Sequence, residues 1–344
     1  MDPTYPLVPM VNIIAAFLVM LSLLSRSIPQ AWNAGILMLG CWLFAYSIVI
    51  GVDTIQWADN ANNPAPIWCD IAIHIQVGAN VGVPACSLIL TRRLYKIISR
   101  RTVGPLSRRE ATYELAVDVS LGLGFPTLIM ALYYIVQLER FAIFEELGCA
   151  AVTCTSGASM LITLPWQALF PLISVFLYTK LLWLFLREKR EINSILQSNT
   201  TMHRSNFFRI LAIGCLDTII TLPLGILNIT RSVLQTINNA TTGLPFWPGW
   251  SAIHDDWEPV QLLASEWKTD KWNELSIRLL MWKNAPLALV YFLIFGLTGE
   301  ARATYRRMFW TAVRPFHWVP PSPPELGSMA FTPGQVRGGT IQST

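Results

Sequence analysis

An unbroken apolar run at 71–91, closed by Arg92, Arg93 and Lys96, constrains this chain more than any other feature. At about 1.5 Å per residue the run is long enough to cross a hydrocarbon core of about 30 Å as a helix. The surrounding stretch 68–96, WCDIAIHIQVGANVGVPACSLILTRRLYK, opens on a Trp, a Cys and an Asp and ends in three cations. Its start is therefore expected in an oxidising exterior and its end in the cytosol, and the remaining segments can be oriented from it.

The rest of the chain repeats the pattern. It is 53% hydrophobic and 13% charged, where soluble domains carry about 25% charged residues. Six further runs, at 7–25, 31–52, 115–138, 158–186, 207–229 and 274–297, bring the expected spans to seven. Residues 1–6 hold no basic cluster and no small-residue cleavage site follows the first run, so it is read as a retained span. With the amino terminus outside and the carboxyl terminus cytosolic, only Arg140, Arg231, Lys268, Lys271, Arg278 and Lys283 of the 25 Lys and Arg fall outside the cytosolic segments. The reverse orientation would put the majority outside, against the positive-inside rule. A sequon at Asn239 falls in the outer connection 231–273, and a second at Asn199 would face the cytosol. After the seventh span, residues 300–313 place Arg302, Arg306 and Arg307 across from Tyr305, Met308 and Phe309, as an interfacial helix would. A membrane domain of residues 1–310 including this helix, with a Pro/Gly/Ser-rich disordered cytosolic tail at 314–344, is the expected organisation.

Several function classes are excluded by residue content. The six cysteines form no CxxC pair, and the four histidines, His74, His203, His254 and His317, include no HExxH. No enzymatic activity, metal, cofactor or nucleic-acid partner is expected. The halves show no repeated hydropathy or matched broken helices of the transporter kind. Lys283 in the last span is what a retinal pigment needs, but that requires a carboxylate at matching depth, typically on the third helix. Residues 71–91 have none and Asp70 lies at the rim, so Lys283 is expected to snorkel outward or to pair with an outer-loop acid.

Polar residues inside spans carry the remaining information. Asp217 lies near the middle of the sixth span, where an ionised carboxylate costs about 3 kcal/mol or more; it should face the bundle, as a switch contact or as structural glue. Asp118 is close enough to the inner surface to reach headgroups or Arg109. His74 and Asn80 are six residues apart on the third helix and lie on broadly opposite faces. Pro84, Pro126, Pro165, Pro171, Pro223 and Pro286 interrupt five of the spans. Cys69 and Cys149 both fall on the oxidising side and are expected to form a disulfide, with Cys154 as competitor. Seven of the fourteen tryptophans, Trp57, Trp68, Trp247, Trp250, Trp257, Trp267 and Trp272, lie in outer loops, as ligand contacts or as an aromatic belt.

Seven helices with a basic inner face is the layout of a G-protein-coupled receptor, although no DRY follows the third helix and no NPxxY closes the seventh. The blocks PQAWN, WCDI, VGANVGVPACSLILTRRLY, LGLGFPTLIMALYYIVQLERFAIFEELGC, NFFRILAI with a downstream LP, and FGLTGEARATYRRMF appear in order. Over roughly residues 7–310 they resemble the fungal lipopeptide mating-pheromone receptors, the a-factor receptor type within class D. The resemblance implies a plasma-membrane receptor for a farnesylated or otherwise prenylated peptide, acting on a heterotrimeric G protein that feeds a MAP-kinase cascade. Membrane lipids and a second copy of the chain are further expected partners. On that reading His74, Gln76, Asn228, Trp257 and Trp267 are the candidate ligand contacts. Arg92, Arg93, Arg204 and Arg209 would face the G protein, and Asn80, Asp217 and Pro223 would serve activation within the core.

Overall fold

The computed structural model describes residues 5–25, 34–99, 107–154, 156–187, 204–239, 245–255, 257–268 and 271–313, with only the backbone course at 204–206, 235–239, 273, 300 and 312–313. The tail at 314–344 and the sequon at Asn199 lie outside them, as do the side chains of Arg204 and Asn239. Among the described residues, seven helices are long and apolar enough to cross a membrane: Leu7–Leu24, Ala34–Gln56, Pro66–Ser99, Arg108–Val136, Trp166–Arg187, Phe207–Leu234 and Glu274–Gly296. A further helix, Gly299–Val313, follows the seventh, where the amphipathic segment was expected.

The third helix is the hub. Its apolar window is 72% buried inside the protein, against 22% for the fourth and fifth, so it sits among the others while those two leave most of their surface to the surroundings. Small residues allow the close approach. A Cβ on Gly82 would stand 2.3 Å from the Trp42 indole nitrogen, so only glycine there lets the second helix lay Trp42 across the third. Trp42 in turn donates from Nε1 to the Gly122 carbonyl at 3.0 Å. That carbonyl is free because Pro126, four residues on, has no N–H to offer it. The ladder widens there into a π-helical turn, Ser120–Gly124, before resuming as Phe125–Val136. One proline thus opens a backbone acceptor, and an indole from a neighbouring helix fills it.

Two apolar clusters stack along the bundle. One joins Leu39, Leu43, Ile89, Leu90, Ile213 and Tyr291 toward the end bearing Arg92; the other joins Val49, Trp57, Ile73, Tyr133, Phe141 and Phe170 toward the end bearing Cys69. We refer to these as the basic end and the disulfide end.

The connections depart from expectation in three places. The fifth span breaks at Pro165, as expected, into Gly157–Thr163 and Trp166–Arg187, but Pro171 leaves the longer helix unbroken. The sixth helix, Arg204–Asn239, runs on past residue 229, and the seventh begins early with Lys271–Trp282. The connection between them is also more regular than its composition suggests. It holds short helices Trp250–His254 and Ala264–Trp267 and a strand, β3, at Val260–Leu262. Two strands between the fourth and fifth spans, β1 at Ala142–Phe144 and β2 at Gly148–Ala150, complete a sheet in the order β2-β1-β3. β1 pairs antiparallel with β2, and parallel with β3 in the register Ala142 to Val260. The β1–β2 turn requires Gly148: its φ is +93°, and a Cβ there would meet Asp53 Cβ at 2.4 Å.

Candidate functional site

The sheet is a lid, fastened to the disulfide end at several independent points. Cys69 and Cys149 are disulfide-bonded, with Cα atoms 5.3 Å apart, while Cys154 remains a free, buried thiol beside Ser156 Oγ. Gln76 donates from Nε2 to the Cys149 carbonyl at 2.7 Å, and the Glu146 backbone N–H donates to Trp57 O at 2.7 Å. Asp53, which the sequence places at the start of a loop, is inside the second helix and buried, accepting from Trp68 Nε1 at 2.6 Å. Arg140 forks onto Asp70, Nε to Oδ1 at 3.0 Å and Nη2 to Oδ2 at 2.6 Å. This pairing holds the Arg140 guanidinium above its already high range.

The candidate ligand contacts are spread over several interfaces. His74 turns toward the fourth helix, its Nδ1 2.7 Å from Asp70 O and its ring edge-on to Tyr133 at 6.0 Å. Gln76 is taken by β2. Asn228 donates from Nδ2 to Gln167 Oε1 of the fifth span at 3.2 Å. Trp267 is buried under the lid and donates to Glu145 O at 3.2 Å; beside it Lys268 reaches Glu146 at 2.6 Å. Trp257 stacks on His254 at a centroid distance of 4.7 Å.

Deeper in the bundle the third, sixth and seventh helices bring a charged group together. The seventh helix is interrupted at Lys283, three residues before Pro286. There the Lys283 ammonium donates to Asn80 Oδ1 and lies 5.5 Å from the Tyr46 ring centroid. This corrects the expectation that Lys283 snorkels outward or pairs with a loop acid: a polar partner across the bundle is closer than the headgroups. Asn284, next to it, donates to Ser47 Oγ at 2.7 Å. A cavity of about 20 Å³ lies between Asn80, Pro84, Thr221 and Lys283, roughly the room one water needs and far below that of a prenyl chain. Asp217 lies within the electrostatic reach of Lys283. It is buried beside the Ser87 hydroxyl, but neither carboxylate oxygen has a hydrogen bond of ordinary geometry, and the Ser174 hydroxyl is likewise without one. Asp217→Asn is accordingly expected to change apparent thermal stability by no more than about 1 kcal/mol, because a neutral amide loses less on burial but leaves the Lys283 charge without a counter-charge. Lys283→Met with Asp217 retained should lower it by about 1–3 kcal/mol. Thermal unfolding in detergent checks the pair, and a loss above about 1 kcal/mol for Asp217→Asn would reveal a carboxylate that the fold depends on.

At the basic end, Arg92 and Arg93 are engaged by the fourth helix. Arg92 Nη2 reaches Glu114 at 2.7 Å and Asp118 at 3.2 Å, Arg93 pairs with Asp118, and Lys96 reaches Glu114 at 2.6 Å. Asp118 is fully buried among these cations, in place of the headgroup or Arg109 contact expected of it. Arg209 is half-buried on the sixth helix, and Pro223 is exposed within the same helix.

Seven apolar helices, six of them around a central third, make this a multi-pass membrane protein. The chain belongs to the Pheromone A receptor (STE3) family, which it matches over residues 7–316. It is similar to the "Pheromone B alpha 2 receptor" of Schizophyllum commune, 31% identical over 330 residues covering 95% of this chain and 49% of that protein. It is also similar to "Pheromone receptor 1" of Mycosarcoma maydis, 27% identical with 89% and 84% covered. The "Pheromone a factor receptor" of Saccharomyces cerevisiae is 21% identical, with 84% of this chain and 60% of that protein covered. The chain spans about half the length of the Schizophyllum relatives it matches.

Proposed function

We propose that the chain is a plasma-membrane G-protein-coupled receptor for a mating pheromone, that the pheromone is a farnesylated or otherwise prenylated peptide, and that the heterotrimeric G protein it activates feeds a MAP-kinase cascade. The family match across all seven spans carries the reading. The disulfide end is outer in this account, since a disulfide belongs to an oxidising compartment and the arginines and lysines gather at the other end. The lid meets the peptide portion of the ligand, with Trp257 at its rim. The lipid lies along the bundle flank beside His74, Gln76 and Asn228; the cavity between Asn80 and Lys283 is too small to hold it. Arg204 and Arg209 at the start of the sixth helix face the G protein with Arg92 and Arg93, while Asn80 and Asp217 form the moving core and Pro223, exposed on the sixth helix, serves its bending. A tryptophan-rich rim also anchors helix ends at headgroups, but an anchor alone predicts no response to peptide.

Guanine-nucleotide exchange in reconstituted membranes separates the two. A prenylated peptide should stimulate exchange, and its unprenylated form should be at least roughly 100-fold less potent. That ratio is a fraction of the ideal burial of fifteen carbons at about 0.8 kcal/mol each, because the free lipid already partitions into the bilayer. Equal potency of the two peptides contradicts the lipid contact, and absence of any exchange contradicts the receptor reading.

A further inference from the structure

The fourth helix ends at Val136, and its last carbonyls have no partner within the helix. Three groups from elsewhere meet them. The Cys154 backbone N–H donates to Val136 O at 2.9 Å, Trp247 Nε1 donates to Ile135 O at 3.5 Å, and His254 Nε2 stands 3.1 Å from Tyr134 O. His254 closes the short helix Trp250–His254, and its other ring nitrogen, Nδ1, stands 3.1 Å from the Trp250 carbonyl. Both nitrogens of one imidazole therefore face carbonyl oxygens, which can only accept.

That arrangement selects a protonation state. A neutral imidazole carries one N–H and one lone pair, so one of the two contacts would set lone pair against lone pair; only the imidazolium donates at both. The ring's faces agree. His254 lies between two indoles, stacked on Trp250 at 4.1 Å and 17° and on Trp257 at 4.7 Å and 18°, and a cation between two π faces is favourable. The helix end agrees as well, because the carbonyl end of a helix dipole attracts positive charge. The titratable group against the ring is Tyr134 of the fourth helix, 5.3 Å away; Asp255 and Glu258, near it in sequence, are exposed. Anions in that segment act in the same direction.

We propose that Trp250, His254 and Trp257 form a protonation-dependent clasp, in which doubly protonated His254 fastens the connection between the sixth and seventh helices to the end of the fourth and lets go when the ring loses a proton. The clasp acts on the segment that delivers β3 to the lid. The far side of that segment stays attached through β1 and Lys268, so release frees one edge and the lid hinges about the other. The contribution is present while the ring is charged and is lost as rising pH removes its proton. Nothing in this depends on which ligand the bundle takes.

Amide exchange by mass spectrometry on the full chain in lipid nanodiscs tests it. Between about pH 5.5 and about pH 8, after correction for intrinsic rates, peptides covering 245–255 should lose protection at least about fivefold, while those covering β1 and β2 hold theirs. His254→Phe, which keeps an aromatic ring without donors, and His254→Gln, which has no proton to lose in this range, should both abolish the pH dependence. A wild-type segment with pH-independent protection overturns the clasp. So does a folded variant that keeps the wild-type pH profile. If neither variant folds, the contrast between the two segments in the wild-type chain decides the matter.

Discussion

Replacing Cys69 and Cys149 together with alanine should lower stability by about 2–4 kcal/mol and loosen the lid before the bundle. The bridge closes a sequence separation of 80 residues, for which the chain-entropy model gives roughly 4.5 kcal/mol. A discount applies, because the third and fourth spans remain helical in a membrane even when tertiary packing is lost and already restrict the loop. Alanine suits the test since both positions are buried, and serine would add unsatisfied hydroxyls. The lid would retain its bonds from Gln76 and Trp57 and the Arg140–Asp70 fork, so folding should survive. Unfolding of the variant should coincide with that of the reduced wild-type chain in the same detergent. Agreement of the variant with the oxidised wild type, to within about 0.5 kcal/mol, would remove the bridge from the list of structural supports.

The membrane spans and the disulfide were legible because each rests on a local or compositional signal. An apolar run of sufficient length has one way to cross lipid, and two cysteines assigned to one side have few partners. Hydropathy measures affinity for lipid, however, and is blind to helix that continues into water. The sixth helix runs on through Thr230–Asn239, whose polar residues gave no apolar signal. The sheet was hidden for a different reason. Each strand has three residues, too few for an alternation to register, and Ala142 finds its partner Val260 across the fifth and sixth spans. Pro126 was visible as an interruption, but not that Trp42 would fill the acceptor it frees.

Charges within spans were legible as costs and not as pairings. Asp217, Asp118 and Lys283 could each be expected to find a partner, since none is cheap in lipid. Which partner depends on helix rotation, and that is set by packing around Gly78 and Gly82 rather than by the charged residues. Lys283 therefore reached Asn80 when snorkelling outward or a loop acid was expected. His254 carried no sequence signal beyond Trp250 at i−4 and Trp257 at i+3; its meaning comes from the helix end that tertiary structure brings to it.

Asp118→Ala should lower stability by about 2–3 kcal/mol and, on the receptor function proposed above, raise nucleotide exchange in the absence of peptide. Breaking a buried ion pair from one side costs about 3–5 kcal/mol when the remaining charge stays desolvated. Arg92 and Arg93 keep 25% and 14% of their side-chain surface exposed, so the lower figure applies. Arg92 and Lys96 would still hold Glu114, while Arg93 would lose the acid it pairs with. The third and fourth helices are braced at this end by acids of the fourth holding cations of the third, and loosening the brace makes those cations available to a partner on the same face. Arg93→Gln removes the other side of the contact and separates two roles. A cation that only braces predicts the same stability loss and the same rise in basal exchange for both variants. One that also docks the G protein predicts a rise for Asp118→Ala and a fall for Arg93→Gln, measured per folded receptor. If Asp118→Ala leaves both melting and basal exchange at wild-type values, neither role survives, and these arginines serve topology alone.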